Sequence, residues 1–474
     1  MSSRRPLALA ALVTSGVVLG GCMVGPDYVR PPIETPGSFK SQADSKPAPL
    51  ISPEWWRLYD DADLDQLIAT ATASNQTLQQ AVAAVDQARA LARIARSYLA
   101  PTISTNPTFT RQRTSATHNS SITGKPVGAS ATFNDWLVPI DLTYELDVWG
   151  RVRRGLQSAR AQAIASADDE ALVRLTVQTD VARYYYSLRL LDAQSEILAQ
   201  TVDSYREQVR ILSVQVKTGI TSPIVLSQAQ ALLESTLAQQ RDVQRARGDQ
   251  EHALAILCGQ AAPSFSVAAN PLREESVPEI PPGLPATLLA RRPDVAAAEQ
   301  AVVAANAEIG VATAAFYPTF SLASFVGFES ANYNNLLNWQ SRVASLIPGV
   351  SLPIFQGGRL KANLAATRAM HRQTVAAYVN QVLTAYADVE DALTDLHAYS
   401  GEIADLRSAV TASQEYLRLA QVQFNIGLVD YLTVIDAERT LLTNQLSLVQ
   451  KANLQLGASI QLIKALGGGW ESRP

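Results

Sequence analysis

The chain is poor in charge for its size. Only 17% of its 474 residues are Asp, Glu, Lys or Arg, and the formal net charge is −4. No basic field is present, which argues against a nucleic-acid partner held through phosphates. With 47% hydrophobic residues, the charge is too thin for an ordinary soluble surface. Much of that surface is therefore expected to be covered by neighbours, lipid or a lumen. Histidine is also scarce: His118, His252, His371 and His397 show no metal-ligand spacing. There is no nucleophile elbow and no phosphate-binding glycine loop. Gly467-Gly468-Gly469 follows a helical stretch instead of opening one, so it reads as a stop. These absences argue against an enzyme, and no metal or cofactor is expected. The two cysteines are Cys22 and Cys258. Cys258 lies in an apolar helical stretch and reads as a buried structural thiol. Once Cys22 is modified, no internal disulfide is possible.

The N-terminus carries the compartment. Arg4 and Arg5 precede an apolar run from Pro6 to Gly21, ending in Leu19-Gly20-Gly21-Cys22. A basic start, a short apolar core and small residues before a cut describe a secretory signal, and the run is short for a spanning helix. Cysteine directly after the small residues is the bacterial lipobox pattern. Residues 1–21 then form a signal peptide, and Cys22 becomes a lipid-bearing N-terminus whose acyl chains contribute about 0.8 kcal/mol per buried CH₂. Met23 follows where Asp would suggest inner-membrane retention. The competing reading is an ordinary signal peptide with an incidental cysteine.

The chain is written twice. Gly150-Arg151 placed over Gly358-Arg359 sets an offset of 208, and without a gap Leu156 meets Leu364, Arg160 meets Arg368, Gly219 meets Gly427 and Gly259 meets Gly467. An earlier block repeats at an offset of 217, with Tyr98-Leu99-Ala100-Pro101-Thr102 over Ala315-Phe316-Tyr317-Pro318-Thr319. Length therefore varies only between Pro101 and Gly150 and between Pro318 and Gly358, as expected of loop-tipped hairpins.

Between Arg151 and Lys217 there is no proline, and the only glycine is Gly155. Apolar or small residues recur at alternating steps of three and four: Val181, Tyr184, Leu188, Leu191, Ser195, Leu198, Val202, Tyr205, Val209, Leu212 and Val216. The second copy runs from Val389 to Phe424 in the same way. This spacing predicts coiled-coil rods, each roughly 100 Å long at ~1.5 Å per residue. Gly219 and Gly427 end the rods in turns that need a left-handed backbone. Helices then return over Pro223–Leu257 and Tyr431–Leu466, with Pro223 suited to a first turn. Shorter helices are predicted over Thr77–Tyr98 and Asp294–Phe316. The intervening segments read as strands. Trp136, Val138, Ile140, Leu142, Tyr144, Leu146 and Val148 alternate with a face carrying Asp135, Asp141, Glu145 and Asp147. The second copy is weaker, with Phe320 to Phe328 running up and Val350 to Ile354 running down. Both hairpins can supply the 9–11 residues or so of a spanning barrel strand, and the alternative is a half-exposed soluble sheet. Four strands cannot close a barrel, so strands in lipid would have to be shared among protomers.

Several segments resemble the outer-membrane factor (TolC-like) family in its NodT-type lipoprotein branch. They are Cys22-Met23-Val24-Gly25-Pro26-Asp27-Tyr28, Glu54-Trp55-Trp56, Arg291-Arg292-Pro293-Asp294, Phe316-Tyr317-Pro318, Leu352-Pro353-Ile354-Phe355-Gln356-Gly357-Gly358-Arg359 and Leu466-Gly467-Gly468-Gly469-Trp470. The resemblance covers nearly the whole mature chain in order. It implies a mixed α/β membrane protein: coiled-coil hairpins forming a periplasmic tunnel, and four strands per protomer in a twelve-stranded barrel shared by a homotrimer. It further implies passive efflux from an inner-membrane pump through a periplasmic adaptor, with drug-like compounds as the usual cargo. An equatorial belt would come from about residues 30–76, 258–290 and the C-terminus. The expected organisation is an anchor and equatorial segment over 22–76, repeat 1 over 77–258, a linker over 259–292, repeat 2 over 293–467 and a tail over 468–474. The strand hairpins fall at about 101–150 and 318–358, and the helical tips at 217–223 and 425–431.

Phe424 to Ala437 resembles the family's tip and gate segment. The match implies Leu432 and Asp436 as pore-narrowing residues, with a threefold Asp ring favouring cations. It also implies Gly219, Ile220, Thr221, Gly427, Leu428 and Val429 as tip residues facing the adaptor. The plainer alternatives are a solvated helix-surface Asp and simple turns. Val429 and Val225 stand where some relatives carry an Arg and an acidic residue, so closure is expected to rest on apolar packing more than on ion pairs. A periplasmic coiled-coil lipoprotein scaffold or adaptor is the competing function. It would share the rods and anchor but not the paired strands.

Overall fold

A computed structural model describes residues 23–40, 51–117, 128–272, 277–281, 283 and 285–471. Cys22 and the signal segment lie outside the described residues. The chain runs α1 (Ala62–Ser74), α2 (Gln76–Ser97), β1 (Thr102–Ser104), β2 (Thr108–Arg113), β3 (Thr132–Leu146), α3 (Arg151–Lys217) and α4 (Pro223–Leu257). It continues with the single turn α5 (Pro285–Leu288), α6 (Pro293–Ala314), β4 (Thr319–Ser330), β5 (Arg342–Ser351), α7 (Arg359–Asn425) and α8 (Tyr431–Ala465). The copies match residue for residue in helix length: 22 in α2 and α6, 67 in α3 and α7, 35 in α4 and α8. Of the seam positions named in α3, all are buried or half-buried except Tyr184, which is exposed.

Four helix ends share one stop. Gly219, Gly259, Gly427 and Gly467 all take positive φ. In each case the following amide reaches back five residues, as in Ile220 N to Gln215 O at 2.8 Å and Leu428 N to Gln423 O at 2.9 Å. This is the Schellman closure, in which an αL residue satisfies the last carbonyls of the helix.

The chain divides into two compact units that cut across the repeat: Met1–Pro31, Asp86–Ala165 and Glu299–Ala377 in one, Pro32–Val85, Ser166–Ala298 and Tyr378–Pro474 in the other. Duplication in sequence is thus not division in space, because each unit takes parts of both copies.

The first unit holds the sheet. β3 pairs antiparallel with β4 over eleven positions, from Trp136↔Ser330 to Leu146↔Phe320, and β4 pairs with β5. The trailing strand of copy one therefore joins the leading strand of copy two. On the other side of β3 the expected single strand is broken into β1 and β2. The register is the same on both sides of the gap, so the chain path is one strand. Pro107 and Pro139 fall in the gap, and neither can donate to a ladder. Phe109 stacks on Trp136 with ring centroids 4.3 Å apart, and Tyr333 meets Trp136 at 5.5 Å. The acidic strand face ends sooner than the alternation predicts. Asp147 leaves the strand and accepts from Val152 N and Arg153 N at the start of α3, while Glu145 holds Arg151 through two hydrogen bonds. Carboxylates at a helix start satisfy free amides and complement the dipole. Residues 23–31 form a strap on this unit: Val24 N donates to Trp149 O, Asn306 Nδ2 to Pro26 O, and Arg154 to Asp27.

The second unit is held by buried polar hubs. Asp61 caps α1 and also accepts from Tyr185 and Arg189 of α3. Asp192 holds Arg247 and the amide of Asn270. Arg292 binds Asp294 and Asp388 and donates to Ala465 O. Cys258 is buried, and burial pushes its thiol up to about 11. Gly467 lies against this hub, and a Cβ there would come within 1.8 Å of Arg291 O at a φ of +89°. Gly467→Ala should therefore cost about 2 kcal/mol or more. Gly457→Ala, in mid-helix with open space around it, should be neutral or mildly stabilising. Thermal unfolding of both variants checks the contrast, and equal melting temperatures would contradict it.

Candidate gate and hairpin tips

The ends of both helical hairpins belong to the second unit and share one small core. Leu212 of α3, Ala229 of α4, Ala420 of α7 and Tyr431, Val434 and Ala437 of α8 are buried together. Val209, Val225, Leu226, Leu417, Phe424 and Ile435 pack against them, and Phe424 meets the Tyr431 ring at 5.4 Å. Val225 thus sits in apolar packing at the position where an acidic residue was absent from the sequence pattern. The returning helices start on built caps. Ser222 accepts from Ile224 N ahead of Pro223, and Asp430 accepts from the amide and hydroxyl of Thr433.

Beyond this core the tips are open. Gly219, Ile220, Gly427 and Leu428 are exposed, and Thr221 and Val429 are half-exposed. Ile220 and Leu428 are nearly three-quarters exposed, an apolar pair at the turn of each copy. Leu432 and Asp436 are both exposed and lie four residues apart on one face of α8. Asp436 accepts from the Tyr416 hydroxyl of α7 at 3.1 Å. The chain thus brings Leu432 and Asp436 together on one surface, and it places the six tip residues on two separate turns.

Sequence reasoning missed a polar cluster on the opposite face of α8. Glu438 is 6% exposed. Its Oε1 accepts from Gln208 Nε2 of α3, and Gln208 Oε1 in turn accepts from the Tyr431 hydroxyl. Glu438 Oε2 and the Tyr205 hydroxyl are buried with no hydrogen-bond partner among the described residues. Burial pushes the Glu438 carboxyl up to about 7, against the opposing pull of the Gln208 hydrogen bond. Burial, with the Glu438 charge nearby, likewise raises Tyr205 and Tyr431. A signal was present: Tyr431, Val434 and Glu438 follow the 3–4 spacing of a buried seam, so a carboxylate stands where the pattern calls for an apolar residue.

The outer membrane efflux protein family profile matches residues 67–260 and 284–468, one match for each copy of the repeat. The chain belongs to this family. The toluene efflux pump outer membrane protein TtgF of Pseudomonas putida is 32% identical over 470 residues, 97% of this chain and 96% of the relative. The antibiotic efflux pump outer membrane protein ArpC of Pseudomonas putida is 31% identical over 471 residues, 98% and 96% respectively. The solved outer-membrane channel OprN matches with a TM-score of 0.88 at 26% identity, covering 95% of this chain and 100% of that one. This outer membrane efflux protein is therefore a channel component located in the outer membrane, built from long helical hairpins and strands, and it falls in an efflux family and not an enzyme family. The paired strands remove the scaffold alternative, which had no use for them.

The buried carboxyl gives this efflux protein a pH signature. The folded value of about 7 lies above the ordinary 4.5, so the folded tip binds a proton that the unfolded chain does not. Its stabilisation is complete below about pH 4.5 and is lost as pH rises through 7, a swing of about 3 kcal/mol. The groups facing Glu438 are Gln208, Tyr205 and Tyr431, with Arg439 beside Tyr205. Hydrogen exchange of the helix segments at 205–212 and 431–438 should speed up between pH 5 and 8 in the native protein, beyond the intrinsic rate. In Glu438→Gln that extra slope should disappear, and an unchanged slope would refute the assignment.

Proposed function

We propose that three copies of this chain form the outer-membrane exit of a tripartite efflux system. The exit passively conducts drugs, solvents or other small toxic compounds delivered by an inner-membrane pump through a periplasmic adaptor. The observation that carries the reading is the sheet. Among the described residues its four strand paths end in unpaired edges at β5 and at β1–β2, and such edges in lipid cost several kcal/mol for each unpaired group. Shared closure into a twelve-stranded barrel removes them. The cargo class draws on the relatives, whose names specify toluene and antibiotics. The equatorial segments assigned to residues 22–76 and 259–292 are part of the same proposal.

The exposed turns at Gly219, Ile220, Thr221, Gly427, Leu428 and Val429 are the proposed docking tips for the adaptor. Their apolar side chains stand outside the hairpin core and are available to a helical partner. Leu432 and Asp436 are the proposed constriction, supported by their shared exposed face and by the Tyr416 contact that holds the carboxylate. A ring of three such carboxylates favours cations. Asp436→Ala should raise single-channel conductance and antibiotic leak while lowering cation selectivity. Unchanged conductance and selectivity in planar bilayers would remove Asp436 from the gate.

Cys22 is the proposed lipid attachment site, supported by the lipobox and by the strap that begins at Met23. The barrel provides most of the membrane hold, so Cys22→Ser should reduce outer-membrane sorting or assembly more than conduction. A correctly inserted Cys22→Ser protein that fails to conduct would reverse that order.

A further inference from the structure

The strap lies in a groove of the first unit between the start of α3 and α6, and the walls of that groove are cut to size. A Cβ on Gly25 would lie 2.5 Å from Gly310 Cα, and a Cβ on Gly310 would lie 2.8 Å from Arg154 Cγ. The side chain of Arg154 is 2% exposed, with its guanidinium on Asp27 and Gln157. Thus α6 is reduced to glycine where a long arginine crosses it.

The duplication gives each wall of this groove a counterpart in the other copy. At the offset of 217 the counterparts of Asn306 and Gly310 are Arg89 and Arg93 on α2, and at the offset of 208 the counterpart of Arg154 is Ala362 on α7. The large and small residues have changed walls. One groove has Arg154 against Gly310, and the other has Ala362 and Arg93 in the equivalent places. A chain has one N-terminus and so one strap for two grooves. The groove without a strap is the one in which α2 carries arginines at both strap-docking positions.

The sheet places that second groove. Within the chain, β3 of copy one meets β4 of copy two, and α3 meets α6. In the proposed trimer the same step taken once more would carry β5 to the β1–β2 edge of the next chain, and α7 to its α2. In a single chain the residues of this seam lie open. Arg93, Leu91 and Ile94 are exposed on α2, Ala362 is exposed on α7, and Ile354 and Phe355 just before α7 are 93% and 88% exposed. Exposed apolar side chains at both edges fit faces that are covered in an assembly.

We propose that Arg93 of one chain lies across the partner subunit's Ala362, closing the inter-subunit groove as Arg154 and the strap close the internal one. This deepens the trimeric reading and rests on it. The swap keeps the combined volume of the two walls nearly constant, which packed seams tolerate best. The methylene stem of Arg93 covers apolar surface while its head stays solvated.

Paired cysteines test it. In a Cys258→Ser background, Arg93→Cys with Ala362→Cys should give covalent dimers and trimers on non-reducing denaturing gels after mild oxidation, and neither single variant should. The internal pair Arg154→Cys with Gly310→Cys should close within one chain and give no ladder, since disulfides need Cα atoms within about 7 Å. A complementary exchange gives a second readout. Ala362→Arg alone should lower the yield of trimer about tenfold through overpacking, and adding Arg93→Gly should restore it. Native mass spectrometry of the extracted protein separates the two levels of the argument. A trimer without ladder and without rescue overturns the Arg93–Ala362 pairing alone, whereas a monomer overturns the trimeric reading together with it.

Discussion

A strand edge in lipid has no water to satisfy it. This constraint organises the chain, because a four-path sheet has two edges and neither copy of the repeat can hide both. The internal seam from β3 to β4 solves the problem once, with eleven paired positions. The length differences between the copies lie in the strand hairpins, while the helices keep identical lengths of 22, 67 and 35 residues. Helix length is fixed because each long helix must stay in register with its repeat partner along a shared apolar seam, and one inserted residue would rotate that seam by about 100°. A loop-tipped hairpin carries no such penalty.

The two copies are nevertheless not interchangeable, and the N-terminus is the reason. Arg154 is buried, and its carboxylate partner Asp27 comes from the strap. The strap supplies both the cover over this arginine and the carboxylate and carbonyl that it donates to. Among the described residues no strap lies on copy two, and Ala362 takes the place of the arginine. Asp147 gives a parallel case. In copy one it closes the start of α3 and holds Arg153, whereas its counterpart at the same offset is Phe355, which is exposed. Polar closure within the chain has been exchanged for apolar surface at the outer seam.

Much of this was legible in the residues. The proline-free span from Arg151 to Lys217 is the span of α3, and Gly219 and Gly427 end their helices in the left-handed turn that the spacing required. Periodicity could find these features because each depends on local sequence alone. What escaped it depends on distant partners. Nothing near Pro107 says that Pro139 faces the same gap, and nothing near Met23 says that residues 23–31 will lie along α6. Alternation assigned Asp147 to a strand face because it ignores the competing demand of a helix start for an acceptor. The candidate gate was readable only as a resemblance, since a pore lining is a property of several chains while a sequence describes one.

The tip shows why one helix can carry two unlike carboxylates. Asp436 is exposed and accepts from Tyr416 of the neighbouring helix. Glu438, two residues on, is turned by about 200° into the core. There its charged form is penalised by burial, and one oxygen has no partner among the described residues. An apolar residue at this seam position would pack better, as buried polar groups are commonly replaceable at a gain in stability. Retaining a carboxyl ties the contact between α3 and α8 to Gln208 and Tyr431 of the two hairpins, and its burial makes that contact sensitive to pH. A seam built only of leucine and valine would hold the two hairpins together regardless of their surroundings. At this tip the apolar core supplies the adhesion, and among the described residues Glu438 is the one carboxyl set into it.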